Sequence, residues 1–180
     1  MKTLLCLFSI LIITIVCAAA DELKPQRIPP GPGQESVWDY PRPPKVEITS
    51  KKIQVIYDGI VIAESNRAVR VMQTGHPPVY YIPRENVRME YLYPSNQTST
   101  CEFKGTAVYY NLKAKTKAHE KAAWSYPKPT SGYELIRDHI AFYPKLMDGC
   151  YVNGERVVPE PAQYFGGWIT SEIVGPFAGE

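Results

Sequence analysis

The sequence predicts a mainly β domain, an antiparallel sandwich or partly open barrel in which helix is confined to short turns. From Lys45 onward, apolar residues recur with period two, as a strand buried on one face requires. Turn dipeptides punctuate these runs, above all Asp58-Gly59 and Asn153-Gly154, whose residues accept the positive φ of a two-residue hairpin. No heptad, internal repeat or low-complexity tract breaks the pattern.

The chain opens with Met1-Lys2 and an almost wholly apolar run from Leu4 to Val16, then Ala18, Ala20 and a charge at Asp21. That order predicts a secretory signal peptide over residues 1–20; the competing reading is an uncleaved signal anchor. Cleavage would leave a secreted chain with no stable membrane anchor. Residues 21–44 carry seven of the 17 prolines, which exclude regular helix and central strand. Residues 21–30 read as a flexible leader. From Gly31, Val37, Trp38 and Tyr40 supply surface that would dock this arm onto a single domain spanning 31–180.

Strands are predicted at 45–49, 53–57, 60–63, 68–73, 79–82, 88–93, 106–112, 139–142, 150–152 and 155–158. Short helical pieces are expected at 83–87, where Pro83 suits a first helical position, and at 131–137. The tail from Pro159 reads as irregular chain packed by Tyr164, Phe165, Trp168 and Phe177.

Charge and cysteine usage narrow the function classes. A net charge of +2, or about +1 without Lys2, lacks the basic excess of a nucleic-acid binder. Cys101 and Cys150 are the two cysteines of the cleaved chain, and an oxidising compartment invites a disulfide between them. Closing that loop would stabilise by about 4 kcal/mol on the chain-entropy model; two separate buried thiols are the alternative. Asn96-Gln97-Thr98 is a glycosylation sequon among loop-forming residues, which makes Asn96 a candidate glycan site.

Phosphate-loop, nucleophile-elbow and Cys-x-x-Cys signatures are missing, and three histidines with two cysteines have no metal-ligand spacing. Neither metal nor cofactor is expected. Lys104, between Phe103 and Gly105, is either a solvated lysine at a strand end or a group that binds an anion or acts as a nucleophile. Lys113, Lys115 and Lys117 alternate as on one face of a strand, either solvated or offered to a polyanion. Tyr80-Tyr81, Tyr109-Tyr110, Trp124 and Tyr126 place neighbouring rings on opposite faces, so one set can line a core and the other a cleft.

Several motifs then occur in order: Gly33-Gln34-Glu35-Ser36-Val37-Trp38-Asp39-Tyr40-Pro41-Arg42-Pro43-Pro44, Gly75-His76-Pro77-Pro78-Val79-Tyr80-Tyr81-Ile82-Pro83, Cys101-Glu102-Phe103-Lys104-Gly105-Thr106-Ala107-Val108-Tyr109-Tyr110, Ala122-Ala123-Trp124-Ser125-Tyr126-Pro127 and Ile140-Ala141-Phe142-Tyr143. With them the chain resembles the domain-of-unknown-function 427 family from about Gly31 to Gly179. The resemblance implies a β-tent type fold, two antiparallel sheets meeting at an angle, without metal-ligating cysteine pairs. The loose nucleotidyltransferase label of that family finds no nucleotide-binding motif here. The chain departs from the family pattern at Gln73, Asn86, Glu102 and Ala178, where Glu, Asp, Pro and Lys are common. If the family's Glu at position 73 were a base, Gln73 could not take its proton, whereas an amide still serves a binding site.

The expectation is a secreted binding module with an aromatic cleft for a small polar or anionic ligand, walled by Arg67, Tyr80, Lys104, Tyr109 and Trp124. The alternatives are a transferase or hydrolase using Lys104, and a cell-surface interaction protein using the basic strand.

Overall fold

The computed structural model describes residues 26–162 and 165–179. The signal-peptide reading of residues 1–20 lies outside them, as does Tyr164. Among the described residues no helix is long and apolar enough to cross a membrane.

Among the described residues fifteen strands run in the order β1 (Glu35–Ser36), β2 (Lys45–Ile48), β3 (Ile53–Tyr57), β4 (Ile60–Ser65), β5 (Val69–Gln73), β6 (His76–Ile82), β7 (Leu92–Cys101), β8 (Gly105–Lys113), β9 (Ala118–Ser125), β10 (Ile140–Phe142), β11 (Gly149–Val152), β12 (Glu155–Arg156), β13 (Val158–Pro159), β14 (Trp168–Ile169) and β15 (Ile173–Val174). A seven-stranded antiparallel sheet has the order β2-β5-β6-β10-β9-β8-β7, and a four-stranded one has the order β12-β11-β3-β4. Among these residues helix is limited to three-residue 3₁₀ turns, including Arg84–Asn86 and Glu134–Ile136 inside the two expected segments. Both hairpin dipeptides have positive φ at each residue, at Asp58-Gly59 and Asn153-Gly154.

The main core lies between the two large sheets. Ile53, Val55, Tyr57, Ile62, Cys150 and Val152 come from the smaller sheet, while Tyr80, Ile82, Tyr110, Leu112, Ile140 and Phe142 come from the larger. A second cluster, built on Val69, Val71, Tyr81, Ala107, Trp124 and Ala141, uses alternate residues of the larger sheet and is closed by Tyr126, Tyr133 and Ile136. The seven-stranded sheet is therefore apolar on both faces.

The Pro-rich arm docks as its aromatics require. Val37 is fully buried, and Trp38 Nε1 donates to the Pro176 carbonyl at 2.7 Å. β1 pairs in parallel with β15. Arg70 bolts the arm to the sheet, donating to Glu35 at 2.9 Å and to Glu47 at 2.5 Å, and Tyr40 donates its hydroxyl to Glu35 at 2.8 Å.

Several expectations need correction, among them the irregular tail, which carries β14 and β15. Cys101 and Cys150 are both free. Cys150 is buried in the main core, whereas Cys101 packs with the second cluster, so the larger sheet's two faces separate them. Residues 88–93 are not one strand: a 3₁₀ turn occupies Met89–Tyr91, and β7 runs on from Leu92 to Cys101. Lys115 and Lys117 do not share a strand with Lys113, which ends β8; they lie in the turn before β9, where Lys117 pairs with Asp148.

Candidate functional site

Over the second cluster the larger sheet leaves a cavity of about 290 Å³, lined among others by Gln73, Tyr81, Cys101, Lys104, Tyr109, Trp124 and Tyr126. Its position follows from strand pairing. Val69 faces Tyr81, Tyr109 faces Trp124 and Ala141 faces Trp124, so aromatic side chains of β6, β8 and β9 meet on one face. Trp124 Nε1 donates to the Tyr81 hydroxyl at 3.2 Å, and the indole packs on Tyr143 with ring centroids 4.4 Å apart. Tyr109 and Ser99 share a hydrogen bond of 2.8 Å at the rim. Burial pushes the Tyr81, Tyr126 and Tyr143 phenols up, so at neutral pH they are uncharged.

The fourth wall is the turn from β7 to β8. Cys101 pairs with Gly105 across it, and Gly105 has φ of +93°, a conformation that glycine adopts without Cβ strain. Thr130 clamps the turn from outside: its N–H donates to the Lys104 carbonyl at 3.2 Å, and its hydroxyl donates to the Phe103 carbonyl. Lys104 thereby points inward, half-buried, with Nζ 5.9 Å from the centroid of Tyr126. It shares the cavity wall with Cys101, which opens the same turn. Burial pulls its ammonium below the ordinary lysine value, while the Cys101 sulfur pulls the other way. Glu102 also borders the cavity but is paired with Arg42 at 2.5 Å. Lys104 is the one cation among the described lining residues.

A tail segment completes the cavity. Phe165 and Gly166 line it, and Phe165 stacks on His76 at 3.8 Å. His76 Nδ1 in turn meets Glu160 Oε1 at 2.5 Å, and Glu160 Oε2 accepts from Gly167 N–H at 3.0 Å.

Of the five expected wall residues, Lys104, Tyr109 and Trp124 converge on this cavity. Tyr80 does not: it is 2% exposed in the main core, packed on Trp168 at 5.1 Å. Arg67 does not either. It lies in the loop before β5 and pairs with Glu85 on the surface at 3.0 Å. Gln73, the departure with a possible bearing on acid–base chemistry, is a lining residue. Asn86 instead ties a turn, accepting from the Ser65 hydroxyl at 3.3 Å and from Arg67 at 3.4 Å. Cys101, Tyr81 and Tyr126 join the site because of the sheet register, while Phe165 and Gly166 reach it through a tail that has no strand periodicity. Asn96 is exposed on β7, within the register shift between Pro94 and Thr98.

No curated protein matches the chain. The family model described as a domain of unknown function, DUF427, matches residues 45–153. That span holds β2 to β11 and the Lys104 turn, while the docking arm, Glu160 and Phe165 fall outside it. With more than half of its length matched, the chain belongs to the domain-of-unknown-function 427 family.

Proposed function

We propose that the chain is a secreted binding module whose cavity takes a small, planar, anionic ligand. The observation that carries this reading is a single inward-facing cation, Lys104, set over uncharged aromatic rings with the polar groups of Gln73, Ser99 and Tyr109 at the cavity wall. Aromatic faces accept a flat ligand, and a few convergent polar groups orient it. Gln73 supports binding over acid–base chemistry, since its amide donates and accepts without exchanging charge. Secretion rests on the order of residues 1–20, and a mature N-terminus at Asp21 in secreted material would support it.

Benzoate is a suitable probe, read by calorimetry and by tryptophan fluorescence, with benzyl alcohol and benzylamine as neutral and cationic comparators. Benzoate is expected to bind best. Lys104→Met removes a charge-assisted hydrogen bond in a half-buried site, a loss of about 1.5–3 kcal/mol, or roughly 10- to 100-fold in affinity. Trp124→Ala removes the floor and abolishes the fluorescence response. Equal affinity for benzylamine, or benzoate binding indifferent to both substitutions, would overturn the reading.

A further inference from the structure

Lys104 differs in its surroundings from the lysines on the outer surface. No carboxylate pairs with it among the described residues, since Glu102 is turned to Arg42. Its neighbour at the cavity wall is instead the Cys101 thiol, three residues back in a turn clamped by Thr130. Both groups line the same cavity, and the Tyr126 ring centroid lies 5.9 Å from the amine. An amine in this setting is a nucleophile, and a thiol at the same cavity wall can serve as proton donor and acceptor.

From this geometry we propose that Lys104 captures small carbonyl compounds, aldehydes or 2-oxo acids, as an imine, with Cys101 moving the protons. The inference rests on the cavity being the ligand site and names the class of ligand that can react there. Lys104 Nζ adds to the carbonyl carbon while Cys101 gives its thiol proton to the carbonyl oxygen and takes one from the nitrogen. The resulting carbinolamine loses its hydroxyl as water, with the proton again from Cys101. The nitrogen lone pair closes the C=N bond, and the last N–H proton returns to the sulfur. One water leaves, nothing is oxidised or reduced, and hydrolysis runs the same steps backward. A carboxylate on the carbonyl compound meets the polar groups already at the wall, Tyr109 and Gln73. The burial that lowers the Lys104 ammonium raises the fraction of free amine at neutral pH.

The test uses the intact protein, glyoxylate as probe and cyanoborohydride to reduce the imine, followed by intact-mass analysis and peptide mapping. The expected result is one carboxymethyl adduct per chain at early times, located on Lys104. Cys101→Ser should slow its appearance about 100-fold, and Lys104→Arg should remove it while thermal unfolding is retained. Adducts spread over the surface lysines, with no preference for Lys104, would overturn the proposal, and an unchanged rate in Cys101→Ser would overturn the role given to the thiol. Benzoate binding without selective trapping defeats the imine alone; absence of both defeats the binding reading as well. If Lys104→Arg does not fold, the distribution of adducts on the unaltered chain still decides the matter.

Discussion

His76 Nδ1 lies 2.5 Å from Oε1 of Glu160, a carboxylate whose side chain is 1% exposed. Glu160 also accepts the Gly167 N–H, and Phe165 stacks on the imidazole, so this pair pins the tail beside the cavity. Glu160→Ala leaves the imidazole and a buried N–H without their acceptor. The expected cost is about 1–3 kcal/mol of unfolding free energy, measured by urea titration. Glu160→Gln keeps an acceptor for Gly167 and should cost less.

Gly166 and Gly167 are held by contact rather than by backbone conformation. A Cβ at Gly166 would stand 2.5 Å from the Trp124 ring, and one at Gly167 would stand 2.4 Å from Glu160 and 3.0 Å from the Pro77 carbonyl. Gly166→Ala must displace the cavity floor, with an expected cost of about 1–3 kcal/mol and weakened benzoate binding. Gly154→Ala is the control. It has positive φ but open space around it, so it should cost about 1–2 kcal/mol and leave binding unchanged.

Thiol titration separates the two cysteines. Cys101 borders the cavity and should react with an aromatic disulfide reagent in the folded protein, whereas Cys150 should react only after unfolding. Dithiothreitol should leave the melting temperature unchanged. A fall in melting temperature on reduction would restore the disulfide.

Alkaline pH should weaken the fold, and the sign follows from which groups keep their protons on folding. Burial pushes the Cys150 thiol up and the Tyr80 phenol up to about 12. Their contribution is complete below the unfolded values, roughly 8.5 and 10, and is lost as pH rises past them, because the unfolded chain then binds fewer protons. Lys104, lowered on folding, acts in the opposite sense, but the buried phenols outnumber it. The urea midpoint should hold near neutrality and fall between about pH 9 and 11, with Cys150→Ala removing the earliest part of the decline.

Substitutions at the expected wall residues should divide by location. Arg67→Ala and Tyr80→Phe are predicted to leave benzoate affinity unchanged, the first because its ion pair is on the surface away from the cavity. Tyr109→Phe removes a rim hydroxyl and should weaken binding about 2- to 10-fold.

That division shows what local sequence conveys. Strong alternation and hairpin dipeptides made β3, β4 and the strand after Asp148 legible, because side-chain period and turn conformation are local properties. β9 was not legible. Ala118-His119-Glu120-Lys121 has no apolar alternation, and the strand exists because β8 and β10 offer hydrogen-bonding edges on either side. β7 runs through Pro94, which an edge strand with a shifted register tolerates. At the site, the pair Tyr80-Tyr81 reveals that its rings face opposite ways but not which one meets the cavity; register alone decides that. The cysteines pose the same problem, since spacing along the chain does not tell which face of a sheet each occupies.

The two-faced sheet has a consequence for how the cavity wall can change over time. Tyr80 and Tyr110 anchor the interior while their neighbours Tyr81 and Tyr109 meet the cavity. Exchanging a cavity-facing residue alters the cavity wall and leaves the main core on the opposite face in place. The rim of the cavity, at Ser99 and Tyr109, can therefore change without disturbing the main core on the opposite face.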